Sequence, residues 1–205
     1  MTIEQIKVGF DNFCYVILDP VSKKAAIADP AFCIKNILRF ISSNNLNLEY
    51  IILTHYHYDH TSSTKNILKV YPNAKIVVSK LDGAKLDFLI HISIVKNHRL
   101  MLGSLTLDII LTPGHTPGGI SIIVDNKAIL TGDTLFIDDC GRADLPGGSI
   151  NDLFESLQKI KKLSDNLIVY AGHDYGSKPF DRLGDQKKTN KTLLVETLDD
   201  FSKIE

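Results

Sequence analysis

The stretch Thr54-His55-Tyr56-His57-Tyr58-Asp59-His60 places three of the chain's seven histidines and an aspartate within seven residues, directly after the apolar run Tyr50-Ile51-Ile52-Leu53. Side chains two apart in an extended segment point to the same side, so His55 and His57 offer their imidazoles to one point just beyond the strand end. Asp59 and His60 follow, where the pattern turns from strand to helix. Neutral imidazole and carboxylate are common ligands of zinc, iron and manganese, and a strand end is a rigid place from which to aim them. A polar loop that is merely rich in histidine needs no such spacing, and the pattern therefore predicts a metal site.

Three further candidates lie downstream, each where a strand gives way to a glycine-containing turn. His115 sits in Thr112-Pro113-Gly114-His115-Thr116-Pro117-Gly118-Gly119, Asp133 in Thr131-Gly132-Asp133-Thr134, and His173 in Ala171-Gly172-His173-Asp174-Tyr175. Taken singly, a histidine or aspartate in a turn is an ordinary cap or hydrogen-bonded surface group. Taken with residues 54–60 they gain weight, because glycine permits the tight turns that let several loops converge on one centre.

Around these motifs, strand-like and helix-like segments alternate. Val16–Leu18 and Ala25–Ala28 flank a turn at Asp19–Ser22 and read as a hairpin, and Ile34–Ser42 has helical apolar spacing. Tyr50–Thr54 is a short buried strand, Ser62–Val70 a helix and Lys75–Ser79 a strand, whereas residues 86–95 fit a strand or a helix equally. Leu105–Leu111, Ile120–Val124, Ala128–Thr131 and Leu167–Ala171 read as strands. Between the last two, Ser149-x-x-Asp152 opens a helix through Leu157 and Ile160, and the polar tail from Lys178 ends in a short helix near Leu193–Phe201. Mixed hairpins and crossovers predict an α/β (α+β) fold in which helices cover stacked mixed sheets, as one domain over residues 1–205.

Composition narrows the functional classes. The 205 residues carry a formal net charge of −1, with 44% hydrophobic and 23% charged residues, the balance of a globular protein. There is no basic excess to gather phosphates, so no nucleic-acid partner is expected. The amino terminus shows no secretory pattern and no apolar run reaches the roughly 18 residues a bilayer span needs, so the expected location is cytoplasmic and no membrane partner is expected. Cys14, Cys33 and Cys140 lie far apart and are expected to be reduced packing residues. His91 and His98 belong to no motif and are expected in packing or surface roles.

The order H-x-H-x-D-H, then Gly-His-Thr-Pro-Gly, then Thr-Gly-Asp, then Gly-His resembles the metallo-β-lactamase superfamily over nearly the whole chain. That resemblance implies a four-layer αββα sandwich of two similar halves with a metal site at one sheet edge. It also implies that His55, His57 and His115 bind one metal, that Asp59, His60 and His173 bind a second, and that Asp133 bridges them. Oxygen-reducing diiron flavoproteins of this fold have a glutamate where His57 stands here, which favours hydrolytic or related chemistry.

Residues 131–136, 140–148 and 170–175 are similar to the glyoxalase II-like group and to its neighbour, persulfide dioxygenase. Only about 30 residues follow His173, too few for the helical extension that binds glutathione in full-length glyoxalase II. The resemblance thus implies a metal-dependent hydrolase of a thioester or related activated acyl compound, using a metal-bound hydroxide that Asp59 orients. Two divalent ions are implied, zinc first and iron or manganese as alternatives, with a small-molecule thioester or thiol-derived substrate as partner. Arg142 suits an anionic substrate group, or a salt bridge to Asp144. The alternative is a mononuclear Fe(II) persulfide dioxygenase using His55, His115 and Asp133; a non-catalytic metal-binding module is a third reading.

Overall fold

The first strands show why the chain forms layers. In β2 (Asn12–Leu18) every residue is buried: Phe13, Tyr15 and Ile17 pack in one apolar cluster while Cys14, Val16 and Leu18 pack in another. β3 (Lys24–Ala28) divides in the same way, with Ala26 and Ala28 on one side and Ala25 and Ile27 on the other. A strand apolar on both faces must be covered on both. In this computed structural model, which describes residues 1–204, the covers are a second sheet on one side and helices on the other.

The first sheet runs in the order β1 (Thr2–Val8), β2, β3, β4 (Asn47–Ile52), β5 (Lys75–Ser79) and β6 (Ile92–Ile94). The second runs β12 (Asp181–Arg182), β11 (Ile168–Ala171), β10 (Ala128–Gly132), β9 (Ile120–Val124), β8 (Leu105–Leu111) and β7 (His98–Leu102). β3 to β6 are parallel, as are β10 and β11; the other neighbours are antiparallel. Between the sheets lies one core, to which β8 gives Leu105, Leu107 and Ile109 at the period of two that a sheet face requires.

Helices form the outer layers. On the first sheet, α1 (Ile34–Ser43) buries Ile37 and Ile41, and α3 (Thr64–Val70) buries Ile67. On the second, α5 (Ile150–Lys161) buries Leu153, Phe154, Leu157 and Ile160, each worth about 1.5–3 kcal/mol when fully removed from water. Its start is capped by Ser149, whose hydroxyl accepts from the Asp152 N–H at 3.2 Å, and Lys159 and Lys161 lie in its last turn, where the helix dipole favours cations. The result is the αββα order expected from the sequence.

Several local expectations are corrected. The helix expected over Ser62–Val70 begins within the histidine stretch, as α2 (Tyr58–Thr61), and resumes as α3 after a break at Ser62–Ser63. The ambiguous residues 86–95 are neither one strand nor a helix: Leu86, Phe88 and Ile90 pack beneath the sheet without a ladder, and only Ile92–Ile94 pair as β6. The terminal helix is two short turns, α7 (Lys191–Leu194) and α8 (Leu198–Phe201), interrupted at residues 195–197. Cys14 and Cys140 are buried, but Cys33 is exposed, at the start of α1 just after Phe32, which adopts φ 46°. His91 and His98 are surface residues, and the His91 ring accepts from the Ile76 N–H at 3.1 Å. No helix among the described residues is long and apolar enough to cross a membrane.

Candidate metal centre

β3, β4, β8, β10 and β11 all end at one edge of the sandwich, and each hands over to a loop there. Backbone bonds stitch the two sheets together at this edge: Ile120 N–H donates to Thr54 O at 2.9 Å, and Phe13 N–H to Gly172 O at 2.8 Å. The Tyr15 hydroxyl donates to Ala171 O at 2.5 Å. Gly132 (φ 52°) sits where a Cβ would come within 2.5 Å of Thr54 Oγ1, so only glycine allows the sheets this approach.

The seven residues singled out in the sequence meet at this edge. His55, His57 and His115 form one group and Asp59, His60 and His173 another, each able to present ligand atoms within 4.8 Å of one another. His57 Nδ1 lies 2.9 Å from His115 Nε2, and His60 Nε2 lies 3.2 Å from His173 Nε2. Asp133 reaches both groups, with Oδ2 at 3.5 Å from His115 Nε2, 4.0 Å from His55 Nε2 and 3.2 Å from His173 Nε2, and Oδ1 at 3.4 Å from His60 Nε2. Arg142 stands apart, exposed and doubly bonded to Asp144 at 2.5 and 2.6 Å, although its backbone carbonyl faces the His115 ring.

Neighbouring groups set which nitrogen of each ring looks inward. Asp29 Oδ2 accepts from Thr54 Oγ1 at 2.6 Å, so that hydroxyl can in turn accept from His55 Nδ1–H at 3.0 Å. The same Asp29 oxygen faces His60 Nδ1 at 3.1 Å, Arg142 O faces His115 Nδ1 at 2.8 Å, and Asp11 Oδ1 faces His173 Nδ1 at 3.3 Å. With the Nδ1 protons held outside, four Nε2 atoms converge on the interior, the arrangement outer partners impose on ligating histidines. Asp29 can also be grouped with His55 and His60, but it meets His60 on the outer ring nitrogen and so acts as a hydrogen-bond acceptor. Asn12 Nδ2 donates to Asp59 Oδ2 at 2.9 Å and holds that half-buried carboxylate towards His60 and His173.

The donor set fits metal ions. Among the described residues His55 Nε2 and Asp133 Oδ1 are buried and lack a hydrogen-bond partner, although such atoms are costly to orphan. The inward nitrogens paired at about 3 Å can share a proton, and with the Nδ1 protons of His55, His60, His115 and His173 held outside, their lone pairs are open to a cation. The charges behave accordingly. Burial, with His60 nearby, pushes His55 well below its ordinary range, and burial lowers His57. For His60 burial acts in the same direction but is overcome by the Asp133 and Asp29 carboxylates, which hold it well above the usual imidazole range. His173 is raised against burial by its bond to Asp133. Asp133, although buried, is held well below the carboxylate range by His60 and His55.

Asp11, Asn12, Asp29 and Asp82 are the site's neighbours that the sequence reading missed. Of these only Asp29 carried a signal: it follows a strand, as His55, Asp133 and His173 do. Beside the centre opens a cleft of about 430 Å³ lined by His115, Asp133, Phe136, Cys140, Arg142 and Tyr175, among others. Tyr175 stacks on the His173 ring at 4.6 Å, and burial together with Asp11 pushes its hydroxyl up to about 12.

A four-layer αββα sandwich with a histidine–aspartate centre at the strand ends defines a class of metal-dependent enzymes. The chain belongs to the metallo-beta-lactamase superfamily, whose sequence model matches residues 9–173. It is 32% identical over 199 residues to a probable polyketide biosynthesis zinc-dependent hydrolase, PksB, of Bacillus subtilis, covering 96% of this chain and 88% of that protein. It is 36% identical over 176 residues to a hydroxyacylglutathione hydrolase of Legionella pneumophila, covering 85% of this chain and 67% of that one. The crystal structure of ETHE1 from Myxococcus xanthus superposes with a TM-score of 0.89 at 24% identity, over 100% of this chain and 89% of that one, which bears on the fold alone.

Proposed function

We propose that the protein is a metal-dependent hydrolase of small thioesters or similarly activated acyl compounds. The observation that supports this reading is that two clusters of three side chains, each of which could hold an ion, stand with Asp133 between them beside an open cleft. His55, His57 and His115 would hold one ion, Asp59, His60 and His173 the other, and Asp133 would touch both. When bound, such a pair of divalent ions supplies Lewis acidity to a carbonyl and lowers the pKa of coordinated water. The two hydrolases named above, alike over most of this chain, support the same class.

The chain's own residues have distinct parts in this scheme. Asp59, fixed by Asn12, presents an oxygen from the exposed side of the centre, where it can orient an incoming water. Phe136 and Tyr175, packed edge to face at 5.2 Å, give the cleft an apolar wall suited to an acyl or thioether chain. Arg142 pairs with Asp144 on the exposed side of the cleft, a solvent-screened attachment that an anionic substrate group can displace. A thiol leaves readily near neutral pH because its pKa is about 8.5, so expulsion needs no strong general acid.

The test measures metal content per chain and then thiol release from a panel of acyl thioesters of glutathione, coenzyme A and pantetheine. Two ions per chain with thioester cleavage is the expected result. One iron per chain, oxygen uptake with a persulfide and no thioester cleavage would overturn it in favour of the dioxygenase chemistry of His55, His115 and Asp133.

A further inference from the structure

A carboxylate that is in neither ligand group joins the two loops that carry three of the histidines. Asp82 is fully buried in the single turn α4 (Lys80–Gly83), where Ser79 Oγ accepts its N–H at 3.2 Å. Its Oδ2 accepts from the Tyr56 N–H at 3.1 Å and from the Thr116 hydroxyl at 2.7 Å, and its Oδ1 accepts from the Gly118 N–H at 2.7 Å. Tyr56 lies between His55 and His57, and Thr116 follows His115. One side chain therefore spans the two loops whose imidazoles approach to 2.9 Å.

The fit leaves no slack. A Cβ at Gly118 would come within 2.0 Å of Ser79 Oγ and 2.5 Å of Asp82 Oδ1, so the loop approaches as closely as only glycine permits. A buried carboxylate carries a desolvation cost that three accepted hydrogen bonds offset in part, and an apolar side chain would need no such arrangement. The other ligand group is aligned by different residues: Asn12 on Asp59, Asp29 on His60 and Asp11 on His173.

We propose that Asp82 is a positioning residue for the His55–His57–His115 group alone, fixing the distance between its two loops while leaving the Asp59–His60–His173 group independent. The proposal rests on the two-ion reading above. It predicts that the two sites can be uncoupled by a change that touches no ligand.

Asp82→Asn keeps the shape but turns one acceptor into a donor, which must face the Thr116 hydroxyl and the Tyr56 N–H or else the Gly118 N–H. The experiment loads metal-free protein with zinc in the presence of a competing chelator, resolves the two stepwise affinities, and repeats the titration with cobalt(II) to read each site's visible spectrum. Expected for Asp82→Asn is one site weakened about 10–100-fold, the usual effect of losing an outer partner, with the other within about threefold and an altered cobalt spectrum for the weakened site only. Asn12→Ala should weaken the opposite site. Thr116→Val, which removes a single bond to Asp82, should move affinity in the same direction by less and serves if Asp82→Asn does not fold. Equal weakening of both sites, or no change in either, overturns the proposal. A wild-type protein that binds one ion or none overturns the two-ion reading instead.

Discussion

Asp29→Asn is the substitution whose effect the geometry defines most closely. Asp29 is buried, adopts φ 54°, and receives three contacts: the Thr54 N–H at 2.7 Å on Oδ1, and the Thr54 hydroxyl at 2.6 Å and His60 Nδ1 at 3.1 Å on Oδ2. Asparagine tolerates a left-handed backbone, so the fold should survive. The Thr54 N–H cannot reverse, which keeps the amide oxygen at the Oδ1 position and puts the NH₂ group at Oδ2. There it donates to Thr54 Oγ1 and to His60 Nδ1. The Thr54 hydroxyl must then donate to His55 Nδ1, and both rings are driven to carry their proton on Nε2, facing the centre. Each hydrogen bond to a charged group is worth about 1.5–3 kcal/mol, and at 1.4 kcal/mol per decade its loss weakens metal binding by roughly 10–150-fold. Because His55 and His60 belong to different groups, both stepwise affinities should fall, unlike the one-sided effect expected at Asp82. Chelator competition measures the affinities, and nitrogen chemical shifts of labelled histidine report the tautomers. Affinities within about threefold of wild type, with both Nδ1 protons retained, would refute the reasoning.

Other perturbations probe separate parts of the edge. Gly172→Ala would set a Cβ 2.1 Å from Asp133 Oδ1 and 2.9 Å from His60 Cε1, so metal content should fall sharply while circular dichroism stays native; undiminished metal content would count against a bridging Asp133. The neighbouring carboxylates make His60 and His173 hold a proton more tightly than a free imidazole does, whereas burial makes His55 and His57 hold one less tightly. Metal uptake by the Asp59–His60–His173 group should therefore release protons, and lowering pH from about 8 to about 6 should weaken that site more than its neighbour, as calorimetry in buffers of different ionisation enthalpy would show. Asn190→Ala removes donors at 3.1 and 3.0 Å from the carbonyls of Phe136 and Asp139 beneath the cleft. The Asp139 carbonyl keeps the Phe136 N–H at 2.9 Å, so one buried acceptor, Phe136 O, is left unpaired, which predicts a loss of about 1–3 kcal/mol in urea unfolding and a raised KM; wild-type stability would show that the tail does not brace the cleft wall.

What the sequence revealed and what it hid follow from two kinds of constraint. His55 and His57 were legible as candidates because a strand end with period-two spacing aims them at one point, whereas Asp59, His60, His115, Asp133 and His173 were legible chiefly through the order of the motifs, which resembles a known superfamily. The double-sided strands were legible too, as continuous apolar runs. β1 was not, since Thr2–Val8 is an edge strand whose half-buried Glu4 and Gln5 break any alternation, and neither was β7. Asp82 was invisible for another reason: within Ser79-Lys80-Leu81-Asp82-Gly83 it reads as a solvated turn, and only the arrival of Tyr56, Thr116 and Gly118 from 26 to 36 residues away makes it an acceptor. Positions that serve by hydrogen bonding across the fold leave no periodic trace.

The division of labour between the two sheets explains why the site needs the whole sandwich. The first half supplies His55, His57, Asp59 and His60, and the second supplies His115, Asp133 and His173, so neither ligand group is complete within one sheet. The aligning groups are unevenly shared. In the first half buried carboxylates do the work, Asp29 on His55 and His60 and Asp82 on the loop of Tyr56; in the second half Arg142 O holds His115, and the glycines at 118, 132 and 172 permit close approach. The distance between the halves is set by the apolar core of Ile17, Ile52, Leu107, Ile122 and Leu130. A cavity in that core need not unfold the chain to matter. Since interiors are close-packed and relax only in part, a shift of a few tenths of an ångström there changes the gap between His57 and His115 and that between His60 and His173 together. Core substitutions should therefore weaken both ions in parallel, whereas Asp82 should affect one, and that contrast separates a general loosening of the sandwich from a local error in aiming its histidines.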